Sequence, residues 1–516
     1  PGSSTNVVIP TGAAMYPVGS SYTIGSGYGM VLEPGAQLTM TSLTNYGDLK
    51  LRSDASNISS LITNSSGVSA IIELYLTGGE AGTKNYKWHY ISIPVSTLPV
   101  SIFNGTTLDI VGYAEPRVTT DLLQGWVAWD GYVYSGGGQD DTYKFTDLVP
   151  GKGYDYWDNA TPGTTFSFTG QLNSSALSPI TLSYGGYPTL SGWNLLGNPF
   201  PSGIDWDVVT ASGYPANTGK AVYFTKDNVQ YTYAAGTGIP ENATSHIPPM
   251  QGFFIRTYGT GNTFTVPTTA REHNSTARYK GAKTIIPLVR LKLTEDSISD
   301  ETIVRFDESA KPDLDYDFDA TKSFYSLESP GIWSITGGVK YAINGQPFPE
   351  SGTTLSVPIT VNLTSDALIH SITATQLQGL DDYNVSLFDN VTGFTANLKT
   401  TPTLTFTASA GLITDRFVLK FSDVLTGMEN PVVSGNIFNI YSGFGFINIQ
   451  TLGDDWDGKQ GSVTVFDFSG RTVSDLKNIG FSKNSVTHIT APSTTGIYII
   501  ELRSGVKRYV GKVVIN

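Results

Sequence analysis

The chain ends in two apolar stretches rich in β-branched residues. Residues 496–502 read Gly-Ile-Tyr-Ile-Ile-Glu-Leu, and residues 509–516 read Tyr-Val-Gly-Lys-Val-Val-Ile-Asn, with the pair Ser504-Gly505 between them. Because glycine reaches the positive φ values that a tight turn needs, this pattern predicts a β-hairpin. A second hairpin is predicted upstream, where residues 463–471 read Val-Thr-Val-Phe-Asp-Phe-Ser-Gly-Arg. We therefore expect a small all-β domain at the end of the chain.

The rest of the composition indicates the same fold class. The chain has 516 residues, which is too long for one hydrophobic core, so about three or four domains are expected. It contains 56 Gly, 28 Tyr and 24 Phe beside only 15% charged residues. The stretches between glycines are rich in Thr and Ser, and few of them show the periodicity of a helix. The sequence predicts an all-β protein with many tight turns.

Charge and cysteine content exclude several function classes. The chain has 31 basic and 44 acidic residues, a formal net charge of −13. This charge argues against a nucleic-acid partner, because neutralising phosphates requires a basic face. The absence of cysteine excludes disulfides and thiolate metal ligands. No apolar run approaches the length of about twenty residues that a membrane span needs, and the chain begins at Pro1 without a signal peptide, as expected of a mature form.

The residue pattern of the sequence divides the chain into four tandem β-modules. Residues 1–85 carry short alternating strands set off by Gly or Pro, which predict a β-solenoid or a small meander. Residues 86–268 are expected to form a β-rich, sandwich-like domain, and residues 269–424 a β-sandwich. Residues 425–516 are expected to form the last module, and the linker that joins it to the third module lies at its start and contains Gly-Met-Glu-Asn-Pro at 427–431.

Three sequence blocks of the last module resemble the C-terminal sorting domain of proteins exported by the type IX secretion system of the Bacteroidetes. They are Phe-Asp-x-Ser-Gly-Arg-x-Val at 466–473, Gly-Ile-Tyr-Ile-Ile at 496–500 and Lys-Val-Val-Ile at 512–515. The resemblance implies an Ig-like β-sandwich that acts as an export address. The residues that it marks as the sorting signal are Asp467, Gly470, Arg471, Gly496, Tyr498 and Lys512.

The same resemblance implies partners and a location. The outer-membrane translocon and its shuttle protein recognise such a module, and a sortase-like peptidase usually removes it and attaches the cargo to surface lipopolysaccharide. A secreted or cell-surface location is expected. Two blocks of the second module, residues 192–202 (Gly-Trp-Asn-Leu-Leu-Gly-Asn-Pro-Phe-Pro-Ser) and 248–254 (Pro-Pro-Met-Gln-Gly-Phe-Phe), also resemble surface proteins of that phylum.

The densest acidic feature lies between residues 313 and 319. Its carboxylates alternate with Leu, Tyr and Phe, and they are Asp313, Asp315, Asp317 and Asp319. In an extended strand they would share one face, and such a row of oxygen ligands suits Ca²⁺. The stretch is not an EF-hand loop, because Phe318 and Phe324 stand where glycine and glutamate are needed. The alternative is a solvated acidic loop that Lys311 or Lys322 partly neutralises.

A cluster of aromatic residues predicts a second candidate site. Trp126, Trp129 and Trp157 fall close together in sequence with several tyrosines and Asp130. Exposed rings could stack on a sugar while carboxylates bind its hydroxyl groups. The alternative is that these rings fill the core of a sandwich.

The residues that hydrolytic enzymes need do not form a recognisable pattern. The five histidines are scattered singly, there is no Gly-x-Ser-x-Gly motif, and no cysteine nucleophile exists. We therefore expect a non-enzymatic surface or extracellular protein, an adhesin or structural component. One alternative is a filament subunit that keeps its last module and self-associates by pairing of β edges. The other is a carbohydrate-binding surface protein.

Overall fold

The computed structural model describes most of the chain. The described residues are 2–15, 20–79, 87–103, 108–158, 163–211, 213–226, 229–273, 285–322, 329–366, 369–423, 437–443, 445–505 and 507–515. They form two compact units, Pro1–Ser422 and Asp423–Asn516. Strands dominate both units, which confirms the predicted all-β fold class.

The larger unit begins with a β-solenoid. Its strands are β1 Val7–Ile9, β2 Ala14–Met15, β3 Ser21–Ile24, β4 Gly29–Leu32, β5 Gln37–Met40, β6 Ser42–Asn45, β7 Asp48–Leu51, β8 Ser60–Thr63 and β9 Ser69–Thr77. The pairs within β1-β4-β7-β9, β2-β5-β8 and β3-β6 are all parallel. Alternate apolar side chains such as Leu32, Leu51 and Leu61 point inward and are buried. The solenoid-like start is confirmed.

The next strands close the solenoid and build a second sheet beside it. They are β10 Lys87–Ile91, β11 Leu98–Pro99, β12 Leu108–Tyr113, β13 Trp126–Ala128, β14 Asp147–Leu148, β15 Tyr154–Asp158 and β16 Gly163–Gln171. Strand β16 pairs antiparallel with β9 along its whole length, so it joins the solenoid sheet. Strands β10-β15-β12-β13 form an antiparallel sheet. Phe103, Tyr156 and Phe168 share one buried core with the solenoid residues.

An aromatic core follows. Its strands are β17 Ile180–Thr181, β18 Trp193–Gly197, β19 Gly203–Asp205, β20 Val222–Lys226, β21 Val229–Ala234, β22 Thr237–Ile239, β23 His246–Ile247, β24 Gly252–Arg256, β25 Thr263–Phe264 and β26 Arg271–Glu272. The α-helix α1, Trp206–Ala211, follows β19, and the Asp205 carboxylate accepts from the Asp207 N–H at 3.0 Å in its first turn. Trp193 and Phe254 lie in the centre of this core.

The last part of the larger unit is a long antiparallel-rich sheet. Its strands are β27 Leu288–Glu295, β28 Ile298–Phe306, β29 Ala320–Thr321, β30 Gly331–Thr336, β31 Val339–Gln346, β32 Thr354–Leu363, β33 His370–Gln378, β34 Tyr383–Asp389, β35 Thr395–Asn397, β36 Thr403–Phe406 and β37 Gly411–Asp423. They follow the order β35-β34-β37-β32-β30-β31-β28-β27-β33-β36, and β29 pairs with β31. Arg290 and Arg305 donate to the carbonyls of Gly238 and Ala235, which ties this sheet to the aromatic core.

The smaller unit is a β-sandwich. Its strands are β38 Phe438–Gly443, β39 Phe446–Thr451, β40 Lys459–Asp467, β41 Thr472–Phe481, β42 Val486–Thr490, β43 Gly496–Ser504 and β44 Lys507–Ile515. Sheets β38-β39-β42 and β41-β40-β43-β44 enclose a core that includes Phe438, Trp456 and Ile500. The terminal hairpin has the predicted turn, with Ser504 paired with Lys507.

The helices of the described residues are short. Besides α1, the 3-10 helices are Val100–Ile102, Glu115–Arg117, Leu122–Gly125, Asp141–Tyr143, Thr268–Ala270 and Asp454–Trp456. In the part of the chain that the structure describes, no helix has the length and apolarity needed to cross a membrane.

Strand β16 and the side chains of Arg290 and Arg305 join neighbouring parts of the larger unit. The domain boundaries expected at 1–85, 86–268 and 269–424 therefore stay predictions.

Candidate functional site

The turn between β40 and β41 is built around the carboxylate of Asp467. Its Oδ1 accepts from the N–H of Ser469 at 3.0 Å, the hydroxyl of Ser469 at 2.6 Å and the N–H of Arg471 at 3.0 Å. Its Oδ2 accepts from Arg471 Nε at 3.1 Å. These bonds, the Ser469 hydroxyl first, hold the pKa of Asp467 below its usual value. Gly470 has a φ of +82°, which glycine adopts without strain. Asp467 and Gly470 therefore set the shape of the turn.

Two further residues of the predicted sorting signal support the sandwich from inside. The Tyr498 ring is buried in the core, and its hydroxyl donates to the Thr494 carbonyl at 2.9 Å. Gly496 begins β43 and pairs with Ile515 at the end of β44. Tyr498 fixes the terminal hairpin against the core and Gly496 takes part in the last backbone pair of that hairpin, so both act on the architecture of the module.

The remaining signal residues reach solvent, Lys512 on the outer face of the sheet β41-β40-β43-β44 and Arg471 in the turn between β40 and β41. Lys512 is exposed on β44 opposite Ile499, and the Arg471 side chain is 81% exposed. Beside them lie three apolar side chains that sequence reasoning missed: Phe468 is 88% exposed, Ile497 48% and Val514 47%. The sequence signal for this apolar surface was the run Ile-Tyr-Ile-Ile in β43, because it places apolar residues on both faces of the strand.

Comparison with known proteins decides the identity of this module. The family described as the secretion system C-terminal sorting domain matches residues 443–516, which cover nearly all of the sandwich. The chain is a type IX secretion cargo. The predicted family is thereby confirmed, together with a secreted, cell-surface location. The sorting domain also implies interaction with the type IX secretion machinery.

The other comparisons concern the larger unit. Residues 208–421 match a domain of unknown function, DUF8693. No curated protein matches the chain. One solved structure, titled "Biofilm associated protein - BSP domain", is 8% identical, with 86% of this cargo and 96% of that chain covered at a TM-score of 0.12.

The acidic stretch of the cargo is not the extended strand that its alternation predicts. Residues 311–319 form a loop, in which the N–H groups of Phe318 and Asp319 both bond to the Asp315 carbonyl. Asp315 and Asp319 turn inward and are buried, whereas Asp313 and Asp317 are exposed. The prediction of four carboxylates in one row is therefore wrong. A turn that buries two of them replaced the strand.

The partners of these carboxylates also differ from the predicted ones. Asp319 accepts from the N–H groups of Gly345 at 2.6 Å and Asp315 at 2.7 Å. Lys220 pairs with Asp317 at 2.7 Å, whereas Lys322 pairs with Asp300 at 2.6 Å. Within the described ranges, no three His, Cys, Asp or Glu side chains are grouped so that they could hold a metal ion. Calcium binding stays a prediction.

The burial of Asp319 makes the stability of the larger unit sensitive to pH. Burial raises the pKa of Asp319 to about 7, against the pull of the two N–H bonds. A carboxyl with a raised pKa contributes stability that is complete below its unfolded value of about 4 and is lost as the pH rises through about 7. We expect the urea midpoint of the larger unit to decrease as the pH rises from about 4 to about 7, and Asp319→Asn to reduce this decrease.

The matched control is Asp317→Asn, which removes an exposed carboxyl two residues away. It should leave the pH dependence of the midpoint as in the wild type. Parallel midpoint curves for Asp319→Asn and the wild type would contradict the assignment.

The three tryptophans of the predicted sugar platform do not lie together. Trp126 packs inward, with its ring centroid 5.0 Å from Tyr113 and 5.8 Å from Phe254. Trp129 packs against the core shared with the solenoid. Trp157 instead faces Trp88 across the strands β10 and β15, with 5.7 Å between the ring centroids. Only Trp157 of the three belongs to a surface row.

That row continues with polar groups. Asp109 stands opposite Trp157 on β12, and the Tyr134 hydroxyl donates to its Oδ2. Tyr132 and Tyr134 are 47% and 37% exposed and contact each other edge to face. We call Trp88, Trp157, Asp109 and Tyr134 the aromatic row. Trp88 was missed because only the strand register brings it beside Trp157.

Two buried titratable groups of the larger unit, Glu115 and His273, join its elements. One Glu115 oxygen accepts from the N–H groups of Gly185 at 2.7 Å and Gly192 at 2.8 Å. His273 bridges the hydroxyls of Thr39 at 2.8 Å and Ser60 at 2.7 Å, and burial lowers its pKa to about 4. It therefore stays neutral at physiological pH and connects the aromatic core to the solenoid.

The structure also places two histidines beside carboxylates: His246 beside Glu272, and His370 beside Glu295, with 3.6 Å between His370 Nδ1 and Glu295 Oε2. His246 Nδ1 lies 2.6 Å from Glu272 Oε1, and the ring lines a cavity of 330 Å³ together with His89. Sequence reasoning missed the His246–Glu272 pair, because its residues lie 26 positions apart in the chain. The pair joins β23 and β26 across β19.

Proposed function

We propose that this cargo is a non-enzymatic surface protein, an adhesin or structural component, whose larger unit is a rigid body displayed outside the cell. The observation that supports this function is the use of several buried titratable groups. Glu115, His273 and the Arg416–Asp389 pair are engaged in bonds that join strands and loops. Side chains that hold elements together serve rigidity, which a displayed contact surface requires.

The aromatic row favours carbohydrate binding as a second candidate function. Trp157 and Trp88 offer partly exposed rings, and the adjacent Asp109 offers a carboxylate. Aromatic rings stack on the apolar faces of sugars, while carboxylates accept from their hydroxyls. A glycan on a host or neighbouring cell would be the partner. The filament alternative stays a prediction, which fibres in electron micrographs of the purified chain would support.

Cell attachment separates these candidates. We expect a strain that lacks the cargo to attach less to its natural surface and the wild-type gene to restore attachment. If the aromatic row binds a glycan, Trp157→Ala should weaken binding by about tenfold, since each lost stacking contact contributes about 1 kcal/mol beyond its buried area. Glycan-array binding of the purified chain and cell attachment are the measurements.

The control variant is Tyr46→Ala, which removes a ring that is 71% exposed on the solenoid. It should restore attachment fully. Equal rescue by Trp157→Ala would remove only the carbohydrate candidate. Unchanged attachment of the strain that lacks the cargo would contradict the adhesive function.

A further inference from the structure

The outer face of the sorting domain carries an unusual apolar surface. It consists of side chains that alternate with core residues along β40, β43 and β44 and continue into the turn after β40. We call it the apolar stripe, and its members are Phe466, Phe468, Ile497, Ile499 and Val514. Phe466 pairs with Ile499, and Ile497 pairs with Val514, so these side chains are neighbours across three strands.

The stripe is confined to one end of the sheet. Further along the same face, Thr464 stands opposite Glu501, and Arg503 stands opposite Arg508. Glu501 binds both arginines, through their Nε atoms at 2.5 and 2.6 Å. The outer face of a sandwich is ordinarily polar because it faces water. A contiguous apolar surface limited to one end of such a face marks an interaction site.

The charges beside the stripe indicate the chemistry of its partner. Lys512 is exposed next to Ile499, and the Arg471 guanidinium, bonded to Asp467 on one side, is largely open to solvent. Both flanking groups are cationic. A protein surface that is apolar in the middle and carries carboxylates at its border would complement this arrangement.

We propose that the apolar stripe is the surface by which the secretion machinery holds the cargo, docked on an apolar protein surface with an acidic border. Phe468 is its most exposed member and acts as the anchor that enters the partner. Asp467, Gly470 and Tyr498 are positioning residues, because their bonds shape the turn and hairpin that present the stripe. The inference rests on the export role of the domain and is independent of the adhesive role.

The test uses the full chain in a cell with type IX machinery. The variant combines Phe468→Ser, Ile497→Thr and Val514→Thr, which remove apolar surface while threonine keeps the β-branched shape that strands favour. We expect its exported fraction to fall by about tenfold or more, since anchor residues carry most of an interface's binding energy. Immunoblots of the periplasm, cell surface and medium measure that fraction.

The control combines Tyr441→Ser and Phe446→Ser, which are 43% and 41% exposed on the other sheet of the domain. It should be exported like the wild type. The cargo with the charge reversal Lys512→Glu should also stay in the periplasm, whereas the cargo with Lys512→Arg, which keeps the positive charge, should be exported. If the triple variant melts below the wild type, Phe468→Ser alone decides, because that side chain lies outside the core.

Export of the triple variant at the wild-type level would overturn the proposal while leaving the export role of the domain intact. If the wild-type cargo itself stayed in the periplasm, both the proposal and the export role of the domain would be overturned. A wild-type dimer in light scattering that becomes a monomer in the triple variant, with export unchanged, would show that the stripe holds a second copy and would also overturn the proposal.

Discussion

Replacing Arg416 with alanine should lower the free energy of unfolding of the larger unit by about 3–5 kcal/mol, the usual effect of leaving a buried charge without its partner. Arg416 binds Asp389 through two bonds, Nε to Oδ1 at 3.0 Å and Nη2 to Oδ2 at 2.9 Å. Its guanidinium also donates to the Thr407 carbonyl and lies about equally far from the rings of Phe406 and Phe417. Alanine removes all of these contacts.

The stability that Arg416→Ala removes should depend on pH in the opposite direction to the stability contributed by Asp319. Burial works against ionisation of Asp389, yet the bonds from Arg416, Val391 and Thr392 prevail and hold the pKa of Asp389 below its usual value. A carboxyl with a depressed pKa contributes stability above its unfolded value of about 4 and loses that contribution as the pH falls through the folded value. Arg416→Ala should therefore cost most at neutral pH.

Urea unfolding, followed by tryptophan fluorescence, measures the effect. The matched control is Arg471→Ala, which breaks a two-residue ion pair whose arginine is 81% exposed. It should leave the stability of the sorting domain unchanged, because exposed ion pairs contribute little. An Arg416→Ala midpoint equal to that of the wild type would contradict the structural role of this pair.

The hairpins of the sorting domain were predictable because their signals are local. The Ser504-Gly505 turn joins strands whose alternating side chains define an inner and an outer face, and Tyr498 and Ile500 point inward. The solenoid was predictable for a similar reason, since Gly and Pro separate its short strands. In both cases neighbouring residues specify the structure, and distant contacts only add to it.

The acidic loop shows where a local pattern misleads. Asp alternates there with Leu, Tyr and Phe, the period of a strand. Asp side chains can also bond to nearby backbone N–H groups and so favour turns. Asp315 does this with the N–H groups of Lys311 and Asp317, and Asp319 does so with Asp315 and the distant Gly345. The turn prevailed because it satisfies buried backbone groups.

The candidate surfaces depended on register, which one sequence does not specify. Trp88 and Trp157 meet because β10 pairs with β15, and β12 then places Asp109 beside them. Trp126 looked equivalent to Trp157 in sequence, yet the strand that carries it faces a buried aromatic cluster. In the sorting domain, the resemblance marked Asp467 and Tyr498, whose roles are architectural, and it did not mark Phe468. The solvent exposure of a side chain distinguishes residues that are open to a partner from residues that support the fold.

Ending the chain after Ser422 should abolish export while leaving the larger unit folded. The two units are each compact, and the hydrophobic core of the sorting domain consists of residues between Phe438 and Ile515. The truncated cargo therefore keeps its own cores but lacks the module that the secretion machinery recognises. We expect its melting temperature to match that of the larger unit in the full chain.

We infer that the terminal sandwich acts as an export address independently of the larger unit. The most direct test of this inference is the location of the truncated chain in a cell with an active type IX system, compared with the full chain in the same cell. We expect the full chain to reach the cell surface or the medium, and the truncated chain, still folded, to accumulate in the periplasm. A folded, truncated chain at the cell surface in the same amount as the full chain would contradict it.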